Sequence, residues 1–334
     1  MRILMVSPRV TGIGGVAQHV GRLIELLRGD GHEVDVISVE GTPHVPLKGL
    51  YNPSFMVSSY LSALARRLRG EGYDVAHAHN FPAWPAASAS RAGRRILTVH
   101  GIFSSQHREL HGALAGSAAG RLERAWARSA DALTCVSRRA CEHYSRYARR
   151  AVWIPNAVDP EAMPREGITI GDPQVVYVGR LSREKGVDVL AEAAGLLPRE
   201  VTLVIVGSGD EGLIGRALGL PNVRYVGYQP HEAALRYIRG SRALVLPSRQ
   251  EGMPTAALEA MAMGVPVVAS DIPELRELSE NMVFFRAGDP RALAEAISRV
   301  LAEGFPRAAA AREEVERTYS WRSVYARYLE VYRG

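Results

Sequence analysis

Short, continuously apolar runs alternate along the chain with stretches whose apolar residues return every three or four positions. The first kind predicts strands, the second amphipathic helices. Strands are predicted over Arg2–Val6, Glu33–Ser38, Asp74–Ala78, Arg95–Val99, Ala132–Val136 and Val152–Pro155. Between them, Val16, Val20, Leu23 and Leu27 share one side of a helix over Val16–Arg28, and a second helix is predicted over Ser54–Arg69.

A stretch with three prolines and little periodicity, NAVDPEAMPREGITIGDP (156–173), reads as a domain boundary. The alternation then restarts. Strands Val175–Val178, Val201–Val206, Val223–Val226, Ala243–Leu246, Val267–Ala269 and Met282–Phe285 are predicted. Helices are predicted over Val187–Leu197, Glu211–Leu218, Glu232–Ile238, Thr255–Met263 and Arg291–Glu303. Val-rich strands without polar alternation are those of parallel sheets covered on both faces. Two such arrays imply an α/β fold of two facing, doubly wound, Rossmann-like domains, residues 1–160 and 170–315, with ligands at strand carboxyl ends and in the cleft between domains. A last helix, Trp321–Tyr332, carries Trp321, Val324, Tyr325, Tyr328 and Val331 on one face, so segment 318–334 is expected to return to the first domain.

Hydrophobic content of 47% and charged content of 23% are those of an ordinary globular protein of 334 residues. The charge is uneven: residues 1–150 carry 20 Lys+Arg against 11 Asp+Glu, the rest 21 against 24. A basic first half suits an anionic partner such as a phosphorylated substrate or lipid surface, or is a solvated Arg-rich face. Nucleic acid is disfavoured there, because few aromatics interleave with the basic residues. Cys135 and Cys141 lie in or beside an apolar segment without metal-ligand spacing, which suits reduced thiols in a cytoplasmic protein. No signal peptide and no apolar run of membrane-spanning length is visible.

Candidate chemistry sits where strands are predicted to end. GIGGVA (12–17) follows the first strand and opens a helix. It fits a dinucleotide fingerprint through Gly12, Gly14 and Ala17, with Glu40 as the ribose acid, but five residues separate the strand from Gly12. The Gly14-Gly15 turn reads instead as an anion or hydroxyl site at a helix start. In GRLSREKG (179–186), Arg180 and Lys185 offer two cations suited to a diphosphate, or form a solvated loop. Gly207 and Gly209 in GSGDE allow close backbone approach, of a ligand or of a packed helix. In EGMPTAALE, Gly252 and Pro254 place Glu251 in the loop before a helix and Glu259 in its first or second turn. The two acids can then grip different parts of one ligand, with the backbone of Met253, Pro254 and Thr255 meeting phosphate or sugar.

Taken in order, Gly179-Arg180-x4-Lys185-Gly186, Gly207-x-Gly209, Glu251-x7-Glu259 and AMAMGVPVVAS resemble glycosyltransferase family 4, the retaining nucleotide-sugar transferases of GT-B fold. GIGGV, DVAHAHN, TVHG, IPNAVD and the terminal YSWRSVYARYLEVY agree, so the resemblance covers essentially the whole chain. It implies that Glu259 binds the nucleotide ribose and Glu251 the donor sugar. It implies further that Arg180 and Lys185 neutralise the diphosphate, that Gly14-Gly15 reaches the phosphate, and that His100 lies beside the donor sugar. Ala157 and Met253 depart from the commoner Gly and Phe, which touches fine donor preference only. The donor would be UDP- or GDP-linked and the acceptor a glycan, a lipid-linked sugar or a small molecule. No further cofactor and no metal are expected, since no DxD-type carboxylate motif lies near the strand ends.

Other readings stand beside this one. An epimerase or phosphorylase can share the fold, and a non-catalytic carbohydrate- or nucleotide-binding protein is the non-enzyme alternative. Glu251 and Glu259 could be a glycosidase pair, against which the cations and glycine loops argue. His77, His79 and His100 could form a three-histidine metal site; the favoured reading is a cleft rim near the acceptor. Tyr51, Phe55, Met56, Tyr60, Leu61 and Leu64, with Arg66, Arg67 and Arg69 beyond them, form a stripe that packs on the core or lies on an anionic membrane.

Overall fold

The computed structural model describes residues 1–11, 14–47, 49–102 and 119–334. The chain divides into two compact units, Met1–Asn156 with Val324–Gly334, and Ala157–Ser323. The first holds a six-stranded parallel sheet of β1 (Arg2–Val6), β2 (Glu33–Ile37), β3 (Tyr73–His79), β4 (Ala92–Val99), β5 (Ala132–Cys135) and β6 (Ala151–Trp153), in the order β2-β1-β3-β4-β5-β6. The second holds another parallel sheet of β7 (Gln174–Val178), β8 (Thr202–Val206), β9 (Val223–Gly227), β10 (Ala243–Leu246), β11 (Val267–Ser270) and β12 (Val283–Phe285), ordered β12-β11-β10-β7-β8-β9. All twelve strands of the described residues were predicted, most to within two residues, because helices on both faces force such strands to be apolar throughout.

Each sheet has its own core. Leu4, Val6, Phe55, Trp84, Leu97 and Leu133 are buried in the first. Val175, Tyr177, Leu190, Leu203, Val245 and Ile297 are buried in the second. Strand order reverses between β1 and β3 in one sheet and between β7 and β10 in the other. Ligands of open α/β sheets bind outside the carboxyl ends of strands flanking such a reversal.

Several helices escape the periodic reading. Trp84–Ala89 sits within FPAWPAASAS, whose prolines look like loop. Pro85 is its second residue, where the missing N–H removes no helical bond. Arg138–Ser145 is only eight residues long; it is capped by Ser137, whose hydroxyl accepts from the Ala140 N–H at 3.2 Å. A further helix over residues 119–129, Pro273–Leu278 and Ala308–Glu314 with a π turn at Val315–Tyr319 were likewise unpredicted. The helix expected at Glu211–Leu218 divides into a 3-10 turn, Glu211–Ile214, and a short α turn, Gly215–Leu218.

The stripe on the helix Tyr51–Leu68 is partitioned. Phe55, Ser59 and Ala63 face the core, whereas Val57, Tyr60, Leu61 and Leu68 are exposed. The final helix, Trp321–Arg333, brings its last ten residues into the first unit. There Tyr325 donates to Asp30 at 2.8 Å, and Val324, Tyr328, Val331 and Tyr332 are buried. No helix among the described residues is long and apolar enough to cross a membrane.

Candidate active site

In the second unit, the loops that follow β7 and β10 meet at the sheet's reversal point. Gly186 has φ +66°, and a Cβ there would lie 1.9 Å from the Pro247 carbonyl oxygen. Only glycine lets the two backbones come this close. Arg249 stitches them further. Its N–H donates to the Glu184 carbonyl at 2.9 Å, and its guanidinium forks onto both oxygens of Asp188 at 2.7 and 2.9 Å. The loop after β8 is drawn in the same way: Gly207 has φ +141°, and a Cβ there would stand 1.8 Å from the Gly179 carbonyl oxygen. The Leu181 N–H donates to Ser208 at 2.9 Å, and Leu181 bridges Gly209. The requirement for glycine at 207 and 209 is thus set by loop-on-loop packing.

This framework places Lys185 opposite Glu251. Nζ lies 2.7 Å from both carboxylate oxygens, and Ser248 Oγ donates to Oε1 at 2.7 Å. The Glu251 side chain is 4% exposed and that of Lys185 21%. Removing one partner of so enclosed a pair strands the other, typically at a cost of about 3–5 kcal/mol. Nζ has three N–H donors and commits two to Glu251, so a third remains for a ligand. Arg180 is different. Its guanidinium is 66% exposed and bridges Glu184 at 3.3 Å, one turn on. The expectation of two fixed cations is therefore met by Lys185 alone; Arg180 is fixed through its backbone, whose carbonyl accepts from Tyr177 at 2.6 Å.

Beyond Glu251 the chain turns through Gly252, Met253 and Pro254 into the helix Thr255–Ala262. Residues 252–256 are half-buried, whereas 257–262 are buried. The first turn has no acidic residue and no side-chain cap. Glu259 lies in the second turn and is 8% exposed; Oε1 accepts from His231 Nε2 at 2.7 Å. That bond raises the His231 pKa above its usual value, with burial opposing it. Sequence reading missed His231, because it heads the neighbouring helix His231–Arg239 and carries no motif.

In the first unit, Gly14 has φ +118° and caps the helix Gly15–Gly29. Gly12 of the proposed fingerprint lies outside the described residues. His77 and His79 of β3 approach His100 beyond the end of β4. His77 is fully buried: its Nδ1 pairs with the Tyr332 hydroxyl at 2.7 Å and its Nε2 with the Thr98 hydroxyl at 2.6 Å. It is thus a core residue with both nitrogens engaged, neither a rim residue nor an available metal ligand. His19 pairs with the Tyr328 hydroxyl at 3.0 Å, and His79 Nδ1 with His100 Nε2 at 3.3 Å. Among the described residues His79 Nε2 and His100 Nδ1 have no partner, and no three His, Cys, Asp or Glu side chains are gathered as metal ligands. Burial pushes all four histidines down, His77 to about 3 and His100 to about 4.

Two parallel six-stranded α/β units are the architecture of the GT-B fold. The comparisons agree. A Glycosyltransferase Family 4 profile matches residues 13–162, and one for Glycosyl transferases group 1 matches residues 172–303. The chain is 30% identical over 399 residues to a glycogen synthase of Mycobacterium tuberculosis, covering 99% of this chain and 94% of that one. It is 30% identical over 386 residues to a phosphatidyl-myo-inositol mannosyltransferase of Mycolicibacterium smegmatis, covering 99% and 93%. Its fold matches a sucrose-phosphate synthase from Thermosynechococcus elongatus with a TM-score of 0.83, 23% identity and coverage of 99% and 98%. The chain belongs to the family 4 glycosyltransferases and is a glycosyltransferase enzyme.

The histidine cluster gives a pH signature. The unfolded chain takes up protons below about pH 6.5 while the folded rings stay neutral, so stability falls as pH drops from there towards about 4. Each histidine contributes at most about 1.4 kcal/mol per pH unit. The ring C2–H resonance of His77 is expected not to titrate between about pH 7.5 and 5, and urea midpoints to fall over the same range. A normal titration of that resonance would contradict the burial of a neutral ring.

Proposed function

We propose that the enzyme transfers a sugar, with retention of anomeric configuration, from a UDP- or GDP-linked donor to a hydroxyl of a glycan, lipid-linked or small-molecule acceptor. The donor is held by the loops after β7, β8 and β10. The observation that carries this is the Lys185–Glu251–Ser248 cluster at the sheet's reversal point.

Transfer breaks the bond between C1 of the sugar and the phosphate oxygen, and negative charge grows on the leaving diphosphate. A cation already held in place stabilises that charge without reorganising. Lys185 is so held, and its third N–H is the group offered to the diphosphate. Arg180 joins it by leaving Glu184, an exposed bridge worth under about 1 kcal/mol. With these two cations the reaction needs no metal. Glu251, with both oxygens engaged by Lys185 and one also by Ser248, suits a binder of sugar hydroxyls better than a covalent nucleophile. Retention then follows from attack on the face the diphosphate leaves, which takes the acceptor proton. Glu259 holds the ribose, the turn Met253-Pro254-Thr255 meets phosphate or sugar, and Gly207 and Gly209 bring the β8 loop against them. His100 and the Gly14-Gly15 turn keep the family roles given above.

Lys185→Ala and Glu251→Ala are each expected to lower transfer from the true donor by about tenfold to a hundredfold, the scale of one charge-assisted bond of about 1.5–3 kcal/mol. Circular dichroism confirms folding, and radiolabelled UDP- and GDP-sugars with product analysis provide the readout. Near wild-type turnover in either variant would overturn the assignment. Label appearing in a new nucleotide sugar without an acceptor would favour an epimerase.

A lipid-linked acceptor is favoured by one feature of the first unit. Val57, Tyr60, Leu61 and Leu68 are exposed on one long helix, and Leu47 and Leu50 are exposed just before it. Arg67 and Arg69 are exposed beside its end. Such a face suits the surface of an anionic bilayer. Cosedimentation with phosphatidylglycerol vesicles at low salt is expected for the wild type and lost in Val57→Asp/Leu61→Asp. Absence of wild-type binding would remove the membrane from the proposal.

A further inference from the structure

Glu259 is a nearly enclosed carboxylate whose two oxygens are unlike. Oε1 accepts from His231. Oε2 accepts from no described residue, yet it is not sealed among the buried unpartnered atoms. His231 reaches it from a separate helix, whose entry is set by Pro230 at φ −53°, directly after the loop that follows β9. The imidazole is 45% exposed, so the contact lies at the mouth of the enclosure rather than deep inside it. A carboxylate with one oxygen pinned has its remaining oxygen aimed in one direction, and loss of a group that orients a binding residue in this way typically costs about tenfold or more, as it does for the partners of metal ligands.

We infer that His231 is a positioning residue for donor binding, holding Glu259 by one oxygen so that the other is presented to the nucleotide ribose. This rests on the ribose role of Glu259 proposed above. His231 meets Glu259 rather than the reacting atoms, so its removal acts through affinity for the nucleotide. The fourth strand-end loop, after β9, thereby takes part in the donor site through a side chain that no motif of the sequence marks.

Isothermal titration of the full chain with UDP, GDP and ADP, each alone, tests this; the tightest of the three serves for the variants. Glu259→Ala is expected to weaken binding by at least tenfold and His231→Ala by about tenfold, the scale of one charge-assisted hydrogen bond. His231→Gln, which keeps a donor of similar reach, is expected to stay within about threefold of wild type, and His231→Asn, too short, to behave as Ala. His231→Ala/Glu259→Ala is expected to bind no more weakly than Glu259→Ala alone. If His231→Ala fails to fold, the Gln and Asn pair carries the comparison. Binding by His231→Ala or His231→Asn equal to wild type, with Glu259→Ala impaired, would overturn the role of His231 alone. So would His231→Gln binding as weakly as His231→Asn. Unimpaired Glu259→Ala, or a wild type that binds none of the three nucleotides, would overturn the ribose reading and this inference with it.

Discussion

Glu251 is buried against a counter-charge on a different loop, and much of the second unit serves to bring the two together. Lys185 follows β7 and Glu251 follows β10, strands that are neighbours only because the chain leaves β7 for β8 and β9 and then returns to its other side. The loops must touch for the ion pair to form. Gly186 permits the contact and Arg249 fastens it. Break the pair and the enclosed carboxylate faces no cation, so local stability depends on keeping both partners. The same pair fixes the Lys185 ammonium in place, whereas the Arg180 guanidinium stands largely in solvent.

A second buried polar system, in the first unit, follows a different rule. Histidines 19, 77, 79 and 100 are kept neutral by burial instead of being paired with acids. Hydroxyls engage His19 and His77, and two of those hydroxyls, Tyr328 and Tyr332, arrive on the terminal helix, while His79 and His100 pair with each other. That helix therefore completes the first unit's polar interior as well as its apolar core. Neutral rings bound by hydroxyls can hold a defined tautomer, which a charged cluster could not do at so small a separation.

The sheets were legible because buried parallel strands leave a simple mark, a run of Val, Ile, Leu and Ala of the right length. The short helices were not, since eight residues give barely two turns of periodicity and prolines at their starts imitate loops, as at Pro85. Lys185, Glu251 and Glu259 were singled out from their order along the chain, and the structure shows Lys185 paired with Glu251. Their partners were not. That Lys185 would spend two donors on Glu251, that Arg180 would stand in solvent, and that His231 would reach Glu259 all depend on contacts between residues 28 to 66 positions apart or on exposure. His77 was misplaced at a rim because alternation on β3 cannot tell a cleft from a core covered by a distant helix.

If the strand-end loops of the second unit hold the nucleotide sugar, their backbone amides should slow in exchange when it binds. Hydrogen–deuterium exchange with UDP-glucose and with GDP-mannose, read by mass spectrometry, measures this directly. Protection by at least one of them concentrated in residues 179–187, 207–211 and 247–259 is the expected result. Binding of either sugar nucleotide that leaves those three segments unprotected would contradict the placement of the donor site.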